Sequence, residues 1–167
     1  MKERQARLFA IDSTDILAFS FKDKDAKFDH RTPSKREQNL TKDKEKANFY
    51  GYKLHVITDA ETELPIAVTI APANRHDKKF FHLLYNKIKQ LFRIGPFDNA
   101  KFCRCSIDAT DIYKELHYDG IKPVIATNGR RFRKSPVPKD KDYGKRWAVE
   151  RLFSSLKRCL VLQRINS

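Results

Sequence analysis

The segment "GYKLHVITDAETELPIAVTIAPA", residues 51–73, constrains the fold more than any other. Two runs rich in Val, Ile, Leu and Thr flank the polar stretch "TDAETELP". Runs of that kind at that separation form a hairpin, with its turn near Asp59 to Glu63. The period then changes. In "NRHDKKFFHLLYNKIKQLFRIGP" the residues Phe80, Phe81, Leu84, Ile88 and Leu91 recur at helical spacing. Asp77 stands at the N-cap position, and Gly95-Pro96 stops the helix. Further strands are expected over residues 7–13, at "KFCRCSID" (Lys101 to Asp108) and at "IKPVIATNG", which Asn128-Gly129 ends. A short helix with Asp111 as its N-cap closes at Gly120, and a last helix runs from Tyr143 to about Leu162. The order β-ββ-α-β-α-β-α predicts a single α/β domain over residues 1–167. It would be a mixed five-stranded sheet flanked by helices, with the hairpin supplying the antiparallel strands.

Residues 20–49 depart from this pattern. They hold nine Lys/Arg, six Asp/Glu and few apolar residues, which predicts a charged mobile excursion. Across the chain, 35 basic and 21 acidic residues leave a formal charge of +14. That excess calls for an anionic partner, most commonly nucleic acid. No apolar run approaches the ~20 residues a membrane span needs. The start, "MKERQARLFAIDSTD", has no apolar signal segment. The expectation is a cytoplasmic protein with no membrane partner. Cys103, Cys105 and Cys159, an odd count without a secretory signal, are expected as reduced thiols, and with no second Cys/His pair at zinc spacing Cys103 and Cys105 read as core and not as a metal site.

Acids interrupt this basic background at informative places. Asp12 and Asp108 each end or interrupt an apolar strand, where a charge is costly unless paired or metal-bound. Either acid alone also reads as a turn or cap residue. The last helix carries "YGKRWAVERLFSSLKR", residues 143–158. At ~100° per residue, Tyr143, Arg146, Glu150 and Lys157 share one face, beside an apolar stripe of Val149, Leu152, Phe153, Leu156 and Leu160. One reading is an ordinary Arg146–Glu150 i,i+4 ion pair on a solvated face. The other gathers Asp12, Asp108 and Glu150 around Mg²⁺, which takes carboxylate and phosphate oxygens. Arg146, Lys157 and Tyr143 would then hold DNA.

Tyr143-x2-Arg146-x3-Glu150-x6-Lys157 resembles the Y-x2-R-x3-E-x6-K signature of DDE transposases of prokaryotic insertion sequences. Residues 51–77 are similar to that family's G-Y-K-x-H…D…LP…N-x-H-D block. "FAIDST" and "IDATDIYKELHYDGIKPVI" resemble the blocks around its first and second acids. The resemblance covers nearly the whole chain. It implies a ribonuclease H-like fold and a catalytic, metal-binding triad of Asp12, Asp108 and Glu150. It also implies Mg²⁺ or Mn²⁺, cleavage at transposon ends, and attack of the freed 3′-hydroxyl on target DNA. Double-stranded DNA is the implied partner, with a homodimer on the DNA and location at the nucleoid when bound.

Two features depart from the family pattern. A Tyr-Asp pair common after the second acid reads Asp111-Ile112 here. Only 11 residues precede Asp12, so an N-terminal end-recognition region is expected to be absent. Two alternatives follow: an inactive remnant that only binds DNA, or another ribonuclease H-like nuclease. The cluster Arg130, Arg131, Arg133 and Lys134 is a candidate DNA-backbone contact or a solvated loop. His55 and His76 read as supporting or capping residues, and Trp147 as partial core or a DNA-facing wedge.

Overall fold

A computed structural model describes residues 7–31, 47–92, 101–104, 110–125 and 140–159. Along these the order is β1 (Leu8–Leu17), β2 (Lys27–Arg31), β3 (Ala47–Asp59), β4 (Pro65–Pro72), α1 (Asp77–Phe92), β5 (Lys101–Arg104), α2 (Thr110–Tyr118) and β6 (Lys122–Ile125). A 3₁₀ turn (Lys141–Arg146) then leads into α3 (Trp147–Cys159). All six strands join one mixed sheet in the order β2-β3-β1-β5-β6, with β4 also paired to β3. The β1/β3, β2/β3 and β3/β4 pairs are antiparallel. The β1/β5 and β5/β6 pairs are parallel.

The hairpin forms where its pattern places it. Asp59 closes the turn by accepting from the backbone N–H of Glu61 (2.8 Å) and Thr62 (3.1 Å) through Oδ1. Glu63 takes the left-handed conformation that the tight return requires, at φ 61°. Gly120, at φ 70°, ends α2 as expected, and the Ile121 N–H returns to the Leu116 carbonyl at 2.8 Å.

Alternation along the strands sorts the core into two layers. Phe9, Ile11, Ile57 and Phe102 pack under α1 and α2 with Phe81, Leu84, Tyr85, Ile88, Ile112 and Leu116. Leu8, Ala10, Val56 and Val124 pack under α3 with Ala148, Val149 and Phe153. Ion pairs tie α1 to α2 along their outer sides, Lys78 to Asp111 at 2.5 Å and His82 to Glu115 at 2.6 Å.

Three expectations are corrected. Among the described residues the sheet has six strands, not five, because β2 and the start of β3 fall inside the expected excursion. Apolar groups anchor them: Ala26 is fully buried, Phe49 is buried, and Phe28 packs on Tyr50 with ring centroids 4.7 Å apart. β1 runs four residues beyond 13, since Ser13 to Leu17 continue to pair with β3 although Ser13 to Ile16 are only partly buried and Leu17 is exposed. The last helix begins at Trp147, not Tyr143. The Asp140 side chain accepts from the Asp142 N–H (2.9 Å) and caps a 3₁₀ turn there instead. Gly95-Pro96 and Asn128-Gly129 lie outside the described residues.

Candidate active site

β1 carries Asp12 at the point where burial changes. Residues 8–11 are buried, and Asp12 onward is half-buried. The described part of β5 ends at Arg104, opposite Ile11, so Asp12 comes one residue beyond that parallel pairing. Asp12 therefore lies inside β1, opposite Val56 of β3, and is not a strand-end turn residue. Its alternation partners Leu8 and Ala10 pack under α3, so Asp12 points to the face that α3 covers. The backbone N–H of Ser13 donates to its Oδ1 at 2.8 Å.

α3 lies over β1 and β3. Val149 and Phe153 are buried in its contact with the sheet, and Leu152 and Leu156 are partly so. Glu150, in the first turn, sits on the flank of that stripe with its side chain 49% exposed. Arg146 Nη1 donates to Glu150 Oε1 at 2.7 Å, so the ordinary i,i+4 pair is present. Lys157, half-buried, shares this flank two turns on.

The 3₁₀ turn changes how Tyr143 and Arg146 meet. Residues three apart eclipse each other in a 3₁₀ helix. The Arg146 guanidinium accordingly lies over the Tyr143 ring, 5.3 Å from its centroid. Tyr143 itself packs, partly buried, on the apolar layer under α3. Trp147 is more than half exposed, so it is not core.

Ion pairs fasten this turn to the sheet. Lys101, at the start of β5, reaches Asp142 (2.6 Å) and Asp140 (3.6 Å), and Lys122 of β6 reaches Asp140 (2.7 Å). Lys122 and the Asp142 backbone N–H hold the Asp140 carboxyl down to about 2. Lys101 lowers Asp142, and Asp142 in turn raises the Lys101 ammonium. On the hairpin side, Lys145 meets Glu61 at 3.5 Å and Arg151 pairs with Glu63. Nothing in the sequence pattern marks these residues, because "KDKD" at 139–142 reads as solvated loop.

The described contacts do not join Asp12 directly to Glu150. Asp108 lies outside the described residues, four positions past the end of β5. Arg130, Arg131, Arg133 and Lys134 also lie outside them. Among the described residues, no group of three His, Cys, Asp or Glu gathers as a metal site. His76 is exposed. His55 is buried on the opposite sheet face, stacked on Phe80 of α1.

A family model described as "Transposase DDE domain" matches residues 3–166. The chain belongs to the DDE transposase family. No curated relative matches it. The DDE transposase domain is ribonuclease H-like, and the mixed sheet flanked by three helices is its form here. Family membership makes DNA the substrate class and divalent metal the family's cofactor. No helix among the described residues is long and apolar enough to cross a membrane.

Proposed function

We propose that residues 1–167 form one transposase catalytic domain that cuts double-stranded DNA at transposon ends and joins the freed 3′-hydroxyls to target DNA. Asp12, Asp108 and Glu150 are its metal-binding carboxylates. The observation that carries this reading is the relation of Asp12 to α3: Asp12 points to the sheet face that the Glu150 helix covers. Carboxylate oxygens are the donors that Mg²⁺ or Mn²⁺ prefers, so the residues fit the ion. Asp12, Asp108 and Glu150 would hold the ion, which would supply Lewis acidity for activating an attacking oxygen and stabilising the leaving oxygen of a phosphodiester.

The remaining work falls to the cations. The planar guanidinium of Arg146 fits a phosphate in bidentate fashion. On DNA it exchanges Glu150 for a phosphate and frees that carboxylate, while Tyr143 holds the guanidinium from beneath. Lys157 adds a second cation on the same flank. Arg130, Arg131, Arg133 and Lys134 extend contact along the backbone.

The test is a supercoiled plasmid carrying the gene with its flanking DNA. Mg²⁺-dependent nicking and joined products are expected, falling to background in Asp12→Asn, Asp108→Asn and Glu150→Gln. DNA binding without cleavage in either Mg²⁺ or Mn²⁺ would make the chain a binding remnant. Cleavage of RNA–DNA hybrids without joining would make it a different ribonuclease H-like nuclease.

A further inference from the structure

Three motif residues far apart in sequence meet directly behind Asp12. Ser13 and His55 are antiparallel Cα partners on β1 and β3. Both lie on the face opposite Asp12, the face that α1 covers. Asp77, the first residue of α1, reaches both: its Oδ2 accepts from Ser13 Oγ at 3.4 Å, and its Oδ1 lies 4.0 Å from His55 Nδ1. His55 is 2% exposed and stacks on Phe80, one turn on in α1, with ring centroids 4.4 Å apart. Other residues of the 51–77 block have plain structural duties. A Cβ on Gly51 would collide with the Ile16 carbonyl, and Asp59 closes the hairpin turn. Those duties leave His55 to be explained, and also the contacts of Asp77 beyond its place as the acid in the first turn of α1. Polar groups gathered beside an apolar layer are costly to bury and imply a compensating role.

We infer that Ser13, His55 and Asp77 form a brace that positions the Asp12 carboxylate for metal binding. The inference rests on the reading of Asp12 as a metal-binding residue. Its physical link is Ser13. Asp77 holds the Ser13 hydroxyl, and the Ser13 main-chain N–H holds Asp12 Oδ1 at 2.8 Å. His55, buried and stacked on Phe80, keeps the Asp77 carboxylate in reach of Ser13. One Asp12 oxygen is thereby oriented before an ion arrives, and a pre-oriented ligand loses less freedom on binding. These three are positioning residues and touch no reacting atom.

The test uses Mn²⁺ as the probe and the full chain without DNA, with bound ion counted by electron paramagnetic resonance. Asp77→Asn and Ser13→Ala are expected to weaken Mn²⁺ binding roughly tenfold, the scale typical of residues that orient metal ligands. Ser13→Thr keeps the hydroxyl and is expected to bind as the parent does, which a merely structural role for the site would not require. Asp77→Asn, nearly isosteric and partly exposed, carries the test if Ser13→Ala does not fold. Parent-like binding by Asp77→Asn and Ser13→Ala, with Asp12→Asn defective, overturns the brace alone. Equal binding by the parent and Asp12→Asn overturns the metal reading of Asp12, and the brace with it.

Discussion

Asp12 and Glu150 rest on supports of opposite kinds. Asp12 belongs to a strand flanked by β3 and β5, and the layer beneath the start of that strand is apolar: Phe81, Leu84, Tyr85, Ile88, Phe102, Ile112 and Leu116 are fully buried. Glu150 belongs to a helix that covers the other face, among the described residues, with fewer buried side chains; the turn before it is pinned by ion pairs, part-buried at Lys101–Asp142 and more exposed at Lys122–Asp140 and Lys145–Glu61. Burial of apolar area contributes most of the stability of such a sheet, at ~25 cal/mol per Å². Exposed ion pairs contribute little each, about 0–1 kcal/mol. The contrast implies a rigid side that holds the first acid and a softer side that presents the third.

The strongest way to break this contrast is to cut one large side chain from each layer. Phe102 touches Phe9, Phe81 and Tyr85, with ring centroids 5.5–6.0 Å apart. Phe102→Ala is expected to cost about 4–5 kcal/mol in denaturant unfolding, near the top of the range for such truncations. Phe153 is 7% exposed under α3, where the helix is able to settle inward. Phe153→Ala is expected to cost about 3 kcal/mol or less. Equal costs would mean the two faces are equally rigid.

Glycines offer a finer comparison. Gly51 lies where β3 passes β1, and an added methyl would collide with the Ile16 carbonyl and approach the Ala18 nitrogen at 2.9 Å. These are backbone atoms, which cannot swing aside. Gly51→Ala is therefore expected to destabilise by about 1–3 kcal/mol. Gly144, in the 3₁₀ turn before α3, has nothing within 4 Å of an added Cβ. Gly144→Ala is expected to be neutral or to raise stability by up to about 1 kcal/mol, through the unfolded chain. Thermal midpoints of the two variants decide the point. A costly Gly144→Ala would show the α3 entrance to be more tightly packed than its exposure implies.

What the sequence made legible follows the same division. The hairpin, α1 and the Gly120 stop could be read because their signals are local: alternation, helical period and one left-handed glycine. β2 could not, because Phe28 finds its reason for a strand only across the sheet at Tyr50. The length of β1 was missed for a related cause. Asp12 to Ile16 are half-buried and mostly polar, and only pairing with β3 holds them extended. The meeting of Tyr143 and Arg146 was expected on a shared α-helical face. It comes instead from 3₁₀ eclipse, which depends on the Asp140 cap. The Lys101–Asp142 pair spans 41 positions, and no spacing rule reaches that far.

That same cap supports the mildest prediction, which sharpens the contrast from the soft side. The Asp140 carboxyl is held at about 2 in the folded chain, chiefly by Lys122, against 3.8 ordinarily. A group lowered on folding contributes stability above its unfolded value, and that contribution is lost as pH falls through the folded one. Asp140 thus supports the α3 entrance fully above about pH 4 and loses that support towards pH 2. Lys122 is 63% exposed, so solvent screens the pair and its contribution stays near the ~0–1 kcal/mol of surface pairs. Asp140→Asn is expected to lower the thermal midpoint slightly at pH 6 and to match the parent near pH 2. High salt is expected to narrow the gap at pH 6, as it does for exposed charges. No gap at pH 6 would mean that Asp140 acts as a turn cap, a role its amide replacement keeps by accepting from the Asp142 N–H. The entrance to α3 would then be held by a hydrogen bond, which salt and acid leave in place, and Glu150 would be as firmly mounted as Asp12.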